Sequence, residues 1–412
     1  MYEVAIIGAG PAGIEAAKTS CKYGFKTVLI DKDKDNFGGL CLNKGCIPAK
    51  YYLNISKHSH NLKRIYNGKN KILQTIKNSS LDYLKRNQIE VKWGHARITS
   101  SNIIEVVSQT IEAKNIIIAT GSLPSKVIAP DNKRVIFAED VFSFTNLPSN
   151  FLIVGAGAVG LEIACLFNNL GKKVLVIEKE DNILPNFDKN VSRRLRLILE
   201  KKGIKINTSS DVNGYSLNDF DMVILATGRK PNLKDLDIKG IGLIQTEGGW
   251  LSTDKYLRTN IANIYAAGDI TGKRLYAYVA ELQGRLCVEN IAGKNTLEDY
   301  CGLAECVFTQ PQLAWVGVLE EEAKKKDIEY RIIKSNLLRF SSTYIYSDTD
   351  GFIQVLTDSK DRVIGAAIIS NIASELISIF SLALRTGLTI NNLRDATFIH
   401  PTLSEMVSKI FY

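Results

Sequence analysis

Cys41 and Cys46 stand five positions apart in the run Gly38-Gly39-Leu40-Cys41-Leu42-Asn43-Lys44-Gly45-Cys46-Ile47-Pro48-Ala49-Lys50. Two thiols at this spacing can serve as a couple that cycles between dithiol and disulfide beside a cofactor. An ordinary thiol titrates near pH ~8.5, and a neighbouring cation or helix N-terminus makes it reactive. Gly38 and Gly39 put no side chain in the way of a flat ligand, and Pro48 is expected to set a rigid bend after the second thiol. Spacing alone leaves a second reading open. The chain holds seven cysteines, and two of them could simply pack as small core residues.

A cofactor needs a cradle, and the N-terminus supplies the pattern for one. The apolar run Val4–Ile7 leads into Gly8-Ala9-Gly10-Pro11-Ala12-Gly13, then a helical stretch, then Thr27–Ile30 ending in Asp31. In such a βαβ unit Gly8 makes the tight turn, Gly10 admits a pyrophosphate to the backbone, and Gly13 lets helix and strand pack closely. The helix N-terminus faces the diphosphate with N–H groups and a favourable dipole, and Asp31 can accept hydrogen bonds from a ribose. The pattern returns at Phe151–Val154, Gly155-Ala156-Gly157-Ala158-Val159-Gly160 and Val174–Ile177, ending in Glu178. Gly8 to Asp31 and Gly155 to Glu178 are both 23 positions. Two such units imply two dinucleotides, a flavin in the first and a nicotinamide in the second.

Each unit is closed by a later buried strand ending in Ala-Thr-Gly, at residues 119–121 and 226–228. The strand Ile264–Ala266 runs on to Asp269, which suggests a return to the first unit. The expected division is therefore a discontinuous flavin domain over 1–147 and 260–300, a nicotinamide domain over 148–259, and a remainder over 301–412. The remainder alternates short strands with helices and lacks a Gly-rich turn, which points to an α+β domain. The fold class expected is α/β, with two Rossmann-like domains plus this third part.

Composition agrees with a globular protein of two or three domains. The chain has 412 residues, 45% of them hydrophobic and 23% charged. No apolar run is long enough for a transmembrane span. Met1-Tyr2-Glu3 runs straight into a strand, leaving no room for a signal peptide, so a cytoplasmic location is expected. In that compartment a lasting disulfide is usually catalytic. The remaining cysteines (Cys21, Cys165, Cys287, Cys301, Cys306) show no metal-ligand spacing and read as buried small residues. Much of the net charge of +9 falls between Lys50 and Lys92, where a solvated basic helix face explains it without a nucleic-acid module.

With these motifs in order, the chain resembles the dihydrolipoamide dehydrogenases among the class I pyridine nucleotide-disulfide oxidoreductases. The residues that carry the resemblance are both Gly-rich turns, the Cys41/Cys46 string, Thr227–Asn232, Ala267-Gly268-Asp269 and His400-Pro401-Thr402 with Glu405. It implies an FAD domain, an NAD domain and a C-terminal dimerisation domain. Gly8, Gly10, Gly13, Asp31, Gly39, Lys50, Ala96, Gly121, Asp269 and Ala277 would contact FAD. Gly157, Gly160, Glu178, Val212 and Gly228 would contact NAD. Lys50 would lie beside the flavin ring and pair with Glu162. His400 and Glu405 would form an acid/base pair that serves the disulfide of the other subunit in a homodimer.

The activity implied is oxidation of dihydrolipoamide with reduction of NAD+, the dithiol being presented by lipoyl domains of 2-oxo acid dehydrogenase or glycine cleavage assemblies. Glu178 favours NAD over NADP, because a carboxylate accepts from a 2′-OH and repels a 2′-phosphate. The chain departs from the family pattern in three ways. Ala49 replaces a small hydroxyl residue, Tyr278 replaces a frequent histidine, and only Thr208–Phe220 stands where a longer β-meander is usual. A glutathione reductase-like enzyme and a flavin-loaded dimer with an interaction role are the rival readings.

Overall fold

A computed structural model describes residues 1–128 and 134–412. These divide into two compact units.

The first unit comprises Met1–Val127, Glu139–Asn146 and Thr227–Asp299. Its sheet has parallel strands in the order Glu90–Trp93, Thr27–Asp31, Tyr2–Ile7, Gln109–Ile118 and Ile264–Ala266. The first half of Gln109–Ile118 pairs antiparallel with Ile103–Val106, which in turn pairs with Ala96–Ser100. Strands buried on both faces read as continuous apolar runs, and this sheet shows why. Val4, Ile6 and Leu29 pack on one side with Ala12, Ala16, Leu286 and Val288. Ala5, Ile7, Val28 and Ile30 pack on the other with Ile98, Ile104, Leu236 and Leu251.

The helices Pro11–Lys22 and Ala277–Ile291 cover the first side in close contact. A Cβ on Gly284 would lie 2.2 Å from the Ala12 carbonyl oxygen. The chain rejoins this unit at Thr227, ahead of the residue 260 read from sequence. The cause is local. Arg229–Pro231 pairs antiparallel with Ser122–Pro124, and Leu236, Ile238, Leu243 and Leu251 fill the core below the sheet.

The second unit comprises Ile128–Ala138, Leu147–Ala226 and Tyr300–Tyr412. One sheet is wholly parallel, in the order Lys205–Asn207, Lys173–Ile177, Asn150–Val154, Met222–Leu225, Val135–Phe137. Between Asn207 and Met222 the chain makes two 3-10 turns, Val212–Gly214 and Leu217–Asp219. Tyr215, Leu217 and Phe220 bury against Leu152 and Leu225 there, so a short segment caps this core without a meander.

The other sheet is antiparallel, in the order Ala304–Val307, Gln312–Gly317, Val363–Ser370, Phe352–Thr357, Arg331–Asn336. The helix Ala373–Thr386 and the segment Leu403–Ile410 cover it through Leu376, Phe380, Leu403, Met406 and Val407.

Two expectations are corrected. Of the cysteines read as buried, only Cys165 and Cys287 are; Cys21 and Cys306 are half-buried and Cys301 is exposed. The basic stretch forms the helix Leu62–Arg86 as expected, yet Lys69 on it is buried and donates to the Phe142 carbonyl at 2.8 Å. Among the described residues no helix is long and apolar enough to cross a membrane.

The helix contact gives a stability prediction. Gly284→Val should destabilise by about 1–3 kcal/mol, because the new side chain meets backbone that cannot rotate away. Gly214→Ala, with open space around its Cβ, should stay within ~0.5 kcal/mol. Thermal midpoints of the two variants check this.

Candidate active site

The two thiols occupy adjoining helices, Gly39–Asn43 and Cys46–Ile55. Gly45 between them is what lets the thiols meet. A Cβ there would fall 3.0 Å from the Leu40 carbonyl oxygen and 3.2 Å from the Cys41 Cα. Cys41 is half-buried and Cys46, at the first position of its helix, is exposed.

The Cys41 thiol is pushed up, first by its hydrogen bond to the Cys46 side chain and second by burial. The Cys46 backbone N–H donates to the Cys41 sulfur and opposes the shift. Charge in the reduced pair therefore settles on Cys46, at the helix end where the dipole favours an anion. Pro48 does not bend the chain. It lies in the first turn of the helix, where a missing N–H costs nothing. Lys50 follows Cys46 by one turn, so the two share a helix face.

The glycine pair turns out to be a docking surface. Gly38 has φ +95° and Gly39 φ +67°. A Cβ on Gly39 would sit 2.8 Å from the Gly10 Cα, and one on Gly38 would strike the Leu42 side chain at 2.3 Å. Gly38 N–H donates to the Ala9 carbonyl at 3.0 Å. Asn43, unassigned from sequence, donates through Nδ2 to the carbonyls of Asn36, Phe37 and Gly39. The dithiol segment is thus seated on the first Gly-rich turn.

That turn is built as the sequence requires. A Cβ on Gly13 would come within 1.8 Å of the Gly8 carbonyl oxygen, whereas one on Gly10 would meet nothing within 4 Å. Asp31 accepts from the Ala9 N–H at 2.6 Å and the Asp33 N–H at 2.9 Å. Burial pushes its carboxyl up against the pull of those two donors. An open cleft beside it is lined by residues that include Gly8, Asp31, Gly94, His95, Ala96 and Thr120.

Gly121 (φ +71°) and Asp269 lie around one knot of side chains. Asp269 accepts from Ser122 Oγ, which also accepts from Arg229 Nε at 2.6 Å, and Arg229 Nη1 reaches Glu139 Oε2 at 3.2 Å. No spacing rule marks Ser122, Arg229 or Glu139, because they meet only through tertiary pairing. Ala277 begins the helix Ala277–Ile291, and Tyr278 stacks on Tyr276 with ring centroids 5.4 Å apart.

The second turn repeats the first. A Cβ on Gly160 would lie 2.0 Å from the Gly155 carbonyl oxygen, and Gly157 faces open space. Glu178 accepts from the Ala156 N–H at 2.8 Å and the Glu180 N–H at 3.2 Å. Val212 packs with Val154 and Ile177, the residues that lead into Gly155 and Glu178. Glu162 is buried and accepts from the Phe308 N–H at 2.9 Å. Gly228 (φ +93°) belongs to the first unit, as does Lys50.

Near the C-terminus His400 Nδ1 lies 2.9 Å from Glu405 Oε1. His400 is exposed, whereas Glu405 is buried among the residues that cover the antiparallel sheet. Glu405 Oε2 accepts from the Thr402 N–H at 3.3 Å. The two side chains that the resemblance pairs are thus within hydrogen-bond distance.

The sequence matches the pyridine nucleotide-disulphide oxidoreductase family over residues 2–284 and that family's dimerisation domain over residues 303–410. The chain belongs to this family. It is 32% identical over 440 residues to the dihydrolipoyl dehydrogenase of Chlamydia pneumoniae, covering 98% of this chain and 95% of that protein. It is 30% identical over 451 residues to the mitochondrial dihydrolipoyl dehydrogenase of Homo sapiens, covering 98% and 88%. The HOCl-induced flavoprotein disulfide reductase RclA from Escherichia coli superposes with a TM-score of 0.93 at 26% identity, over 100% and 99% of the two chains.

FAD and NAD are the family's cofactors, and the residues present fit both. Each turn leaves its middle glycine open to space a pyrophosphate can enter, and each keeps a carboxylate at the end of the following strand.

The open face of Gly10 is testable. Gly10→Ala should leave the thermal midpoint of flavin-free protein nearly unchanged and weaken FAD retention tenfold or more, since the methyl occupies the diphosphate's place. Equilibrium dialysis checks it, and undiminished FAD binding would remove this placement.

Proposed function

We propose that this protein is an NAD-dependent dihydrolipoamide dehydrogenase. The observation that carries the reading is the Cys41/Cys46 pair. Its charge settles on Cys46, and its glycines rest on the turn fitted for the flavin diphosphate. The names of its relatives supply the substrate.

In the oxidised pair a thiolate of dihydrolipoamide attacks the Cys41 sulfur. An S–S bond forms, the Cys41–Cys46 bond breaks, and Cys46 leaves as thiolate at its helix N-terminus. The second substrate thiolate then displaces Cys41, closing the lipoamide disulfide and leaving the protein reduced by two electrons. Of the two thiol protons, one is held by His400 of the partner subunit, with Glu405 holding the imidazole and its charge, and the other ends on the displaced Cys41 sulfur. FAD, held at the Gly8–Gly13 turn and Asp31, would supply a two-electron acceptor for the reduced pair, and NAD+, held at the Gly155–Gly160 turn and Glu178, the final hydride acceptor. Lys50, on the Cys46 face of its helix, contributes positive charge near the flavin. The protein acts as a cytoplasmic homodimer on lipoyl domains of 2-oxo acid dehydrogenase or glycine cleavage assemblies.

Purified protein should reduce NAD+ with dihydrolipoamide and show little turnover of glutathione disulfide with NADPH. The reverse preference would sink the assignment. Dithiol titration should raise a long-wavelength absorbance band that Cys46→Ser abolishes; a band surviving in the variant would move the charge to another sulfur.

Nucleotide choice rests on Glu178. Glu178→Arg should cut the NADH-over-NADPH ratio of kcat/KM by at least tenfold, or about 1.4 kcal/mol. Glu178→Gln keeps an acceptor for the Ala156 N–H and so separates turn geometry from charge. A ratio unmoved in the arginine variant would discard the argument.

A further inference from the structure

One oxygen of Glu405 faces two nitrogens. His400 Nδ1 lies 2.9 Å from Oε1, and Lys409 Nζ lies 2.6 Å from the same atom. Lys409 stands four residues past Glu405, at the end of the terminal helix Met406–Lys409. The carboxylate side chain is 6% exposed, against 66% for His400 and 43% for Lys409. A buried anion is therefore reached from solvent by an imidazole and by an ammonium.

We propose that Lys409 is a positioning residue that sets the proton affinity of His400 by sharing Glu405 Oε1. A carboxylate alone beside an imidazole favours the imidazolium. An ammonium on the same oxygen offsets part of that charge, draws away part of the hydrogen bond and repels the second cation.

Lys409 also fixes the partner's state. Glu405 is held down to about 2, chiefly by Lys409, with burial opposing and His400 and the Thr402 N–H adding to the effect. An ionised carboxylate only accepts, so the His400 Nδ1 carries hydrogen and Nε2 is left to exchange protons.

Other titratable groups at this corner have partners of their own. Arg394 and Asp395, on the helix Ile390–Asp395, pair with each other at 3.1 Å. Tyr346 OH donates to the Pro401 carbonyl at 3.4 Å, Tyr344 OH to the Leu338 carbonyl and Tyr412 OH to the Arg394 carbonyl.

The inference rests on reading His400 as the proton acceptor, and the test keeps the two apart. The chain has four histidines, so imidazole resonances of the holoenzyme can be followed through a pH titration and His400 assigned with His400→Gln. Lys409→Met should raise the His400 midpoint by about 0.5–1 pH unit, a threefold to tenfold gain in proton affinity after solvent screening. Lys409→Arg, which keeps the charge, should hold the original midpoint, and a purely packing role for Lys409 would move neither.

The acid limb of kcat/KM for dihydrolipoamide should shift upward by the same amount in Lys409→Met. A midpoint that rises while the limb stays put supports the electrostatic role of Lys409 and removes His400 as the base. A midpoint unmoved in folded Lys409→Met overturns the inference, whatever the rate does.

Discussion

One backbone contact decides where the redox pair sits: Gly39 against Gly10. Gly39 cannot carry a side chain here, since a Cβ on it would be 2.8 Å from the Gly10 Cα. The Gly38 N–H to Ala9 carbonyl bond locks the approach, and Asn43 ties off the three carbonyls behind it. The thiols are thereby referenced to the same peptide groups that a dinucleotide diphosphate would use. Electron transfer between sulfur and flavin demands a fixed separation, and a shared backbone anchor is a rigid way to obtain one.

The two Gly-rich turns solve one problem twice. In each, the third glycine admits the first glycine's carbonyl, and the acid ending the next strand accepts from the N–H between the first two glycines. The acid is therefore part of the turn before any ribose arrives. That double duty fits their places: Asp31 ends its strand and Glu178 directly follows the strand Lys173–Ile177. A strand end delivers a carboxylate to a fixed point above the neighbouring strand's turn.

At the other end of the chain a buried carboxylate organises exposed partners. Glu405 is positioned by the helix and 3-10 turn that close the core of the antiparallel sheet, so the sheet's packing sets the height of the imidazole. Lys409, His400 and the Thr402 N–H keep that buried carboxylate ionised, and His400 and Lys409 share its Oε1.

Much of this was legible in the sequence because local pattern dictates local structure. The 23-residue repeat of turn and acid, the Cys-x4-Cys string and the His-x4-Glu spacing each define a short-range geometry, and each is present in the structure. Where a residue's role comes from what packs on it, sequence reading faltered. Pro48 sits in the first turn of a helix instead of bending a loop, Cys301 is exposed, and the first unit resumes at Thr227.

The sequence by itself determined the family, the two cofactor turns and the pair of sulfurs, since these depend on residue type and spacing along the chain. Only the tertiary structure decided that Gly39 rests on Gly10, that Ser122, Arg229 and Asp269 form one knot, and that Lys409 and His400 share an oxygen. Those contacts join surfaces whose meeting depends on the packing of whole elements, or on the side of a buried group that is left open, and no spacing rule encodes either.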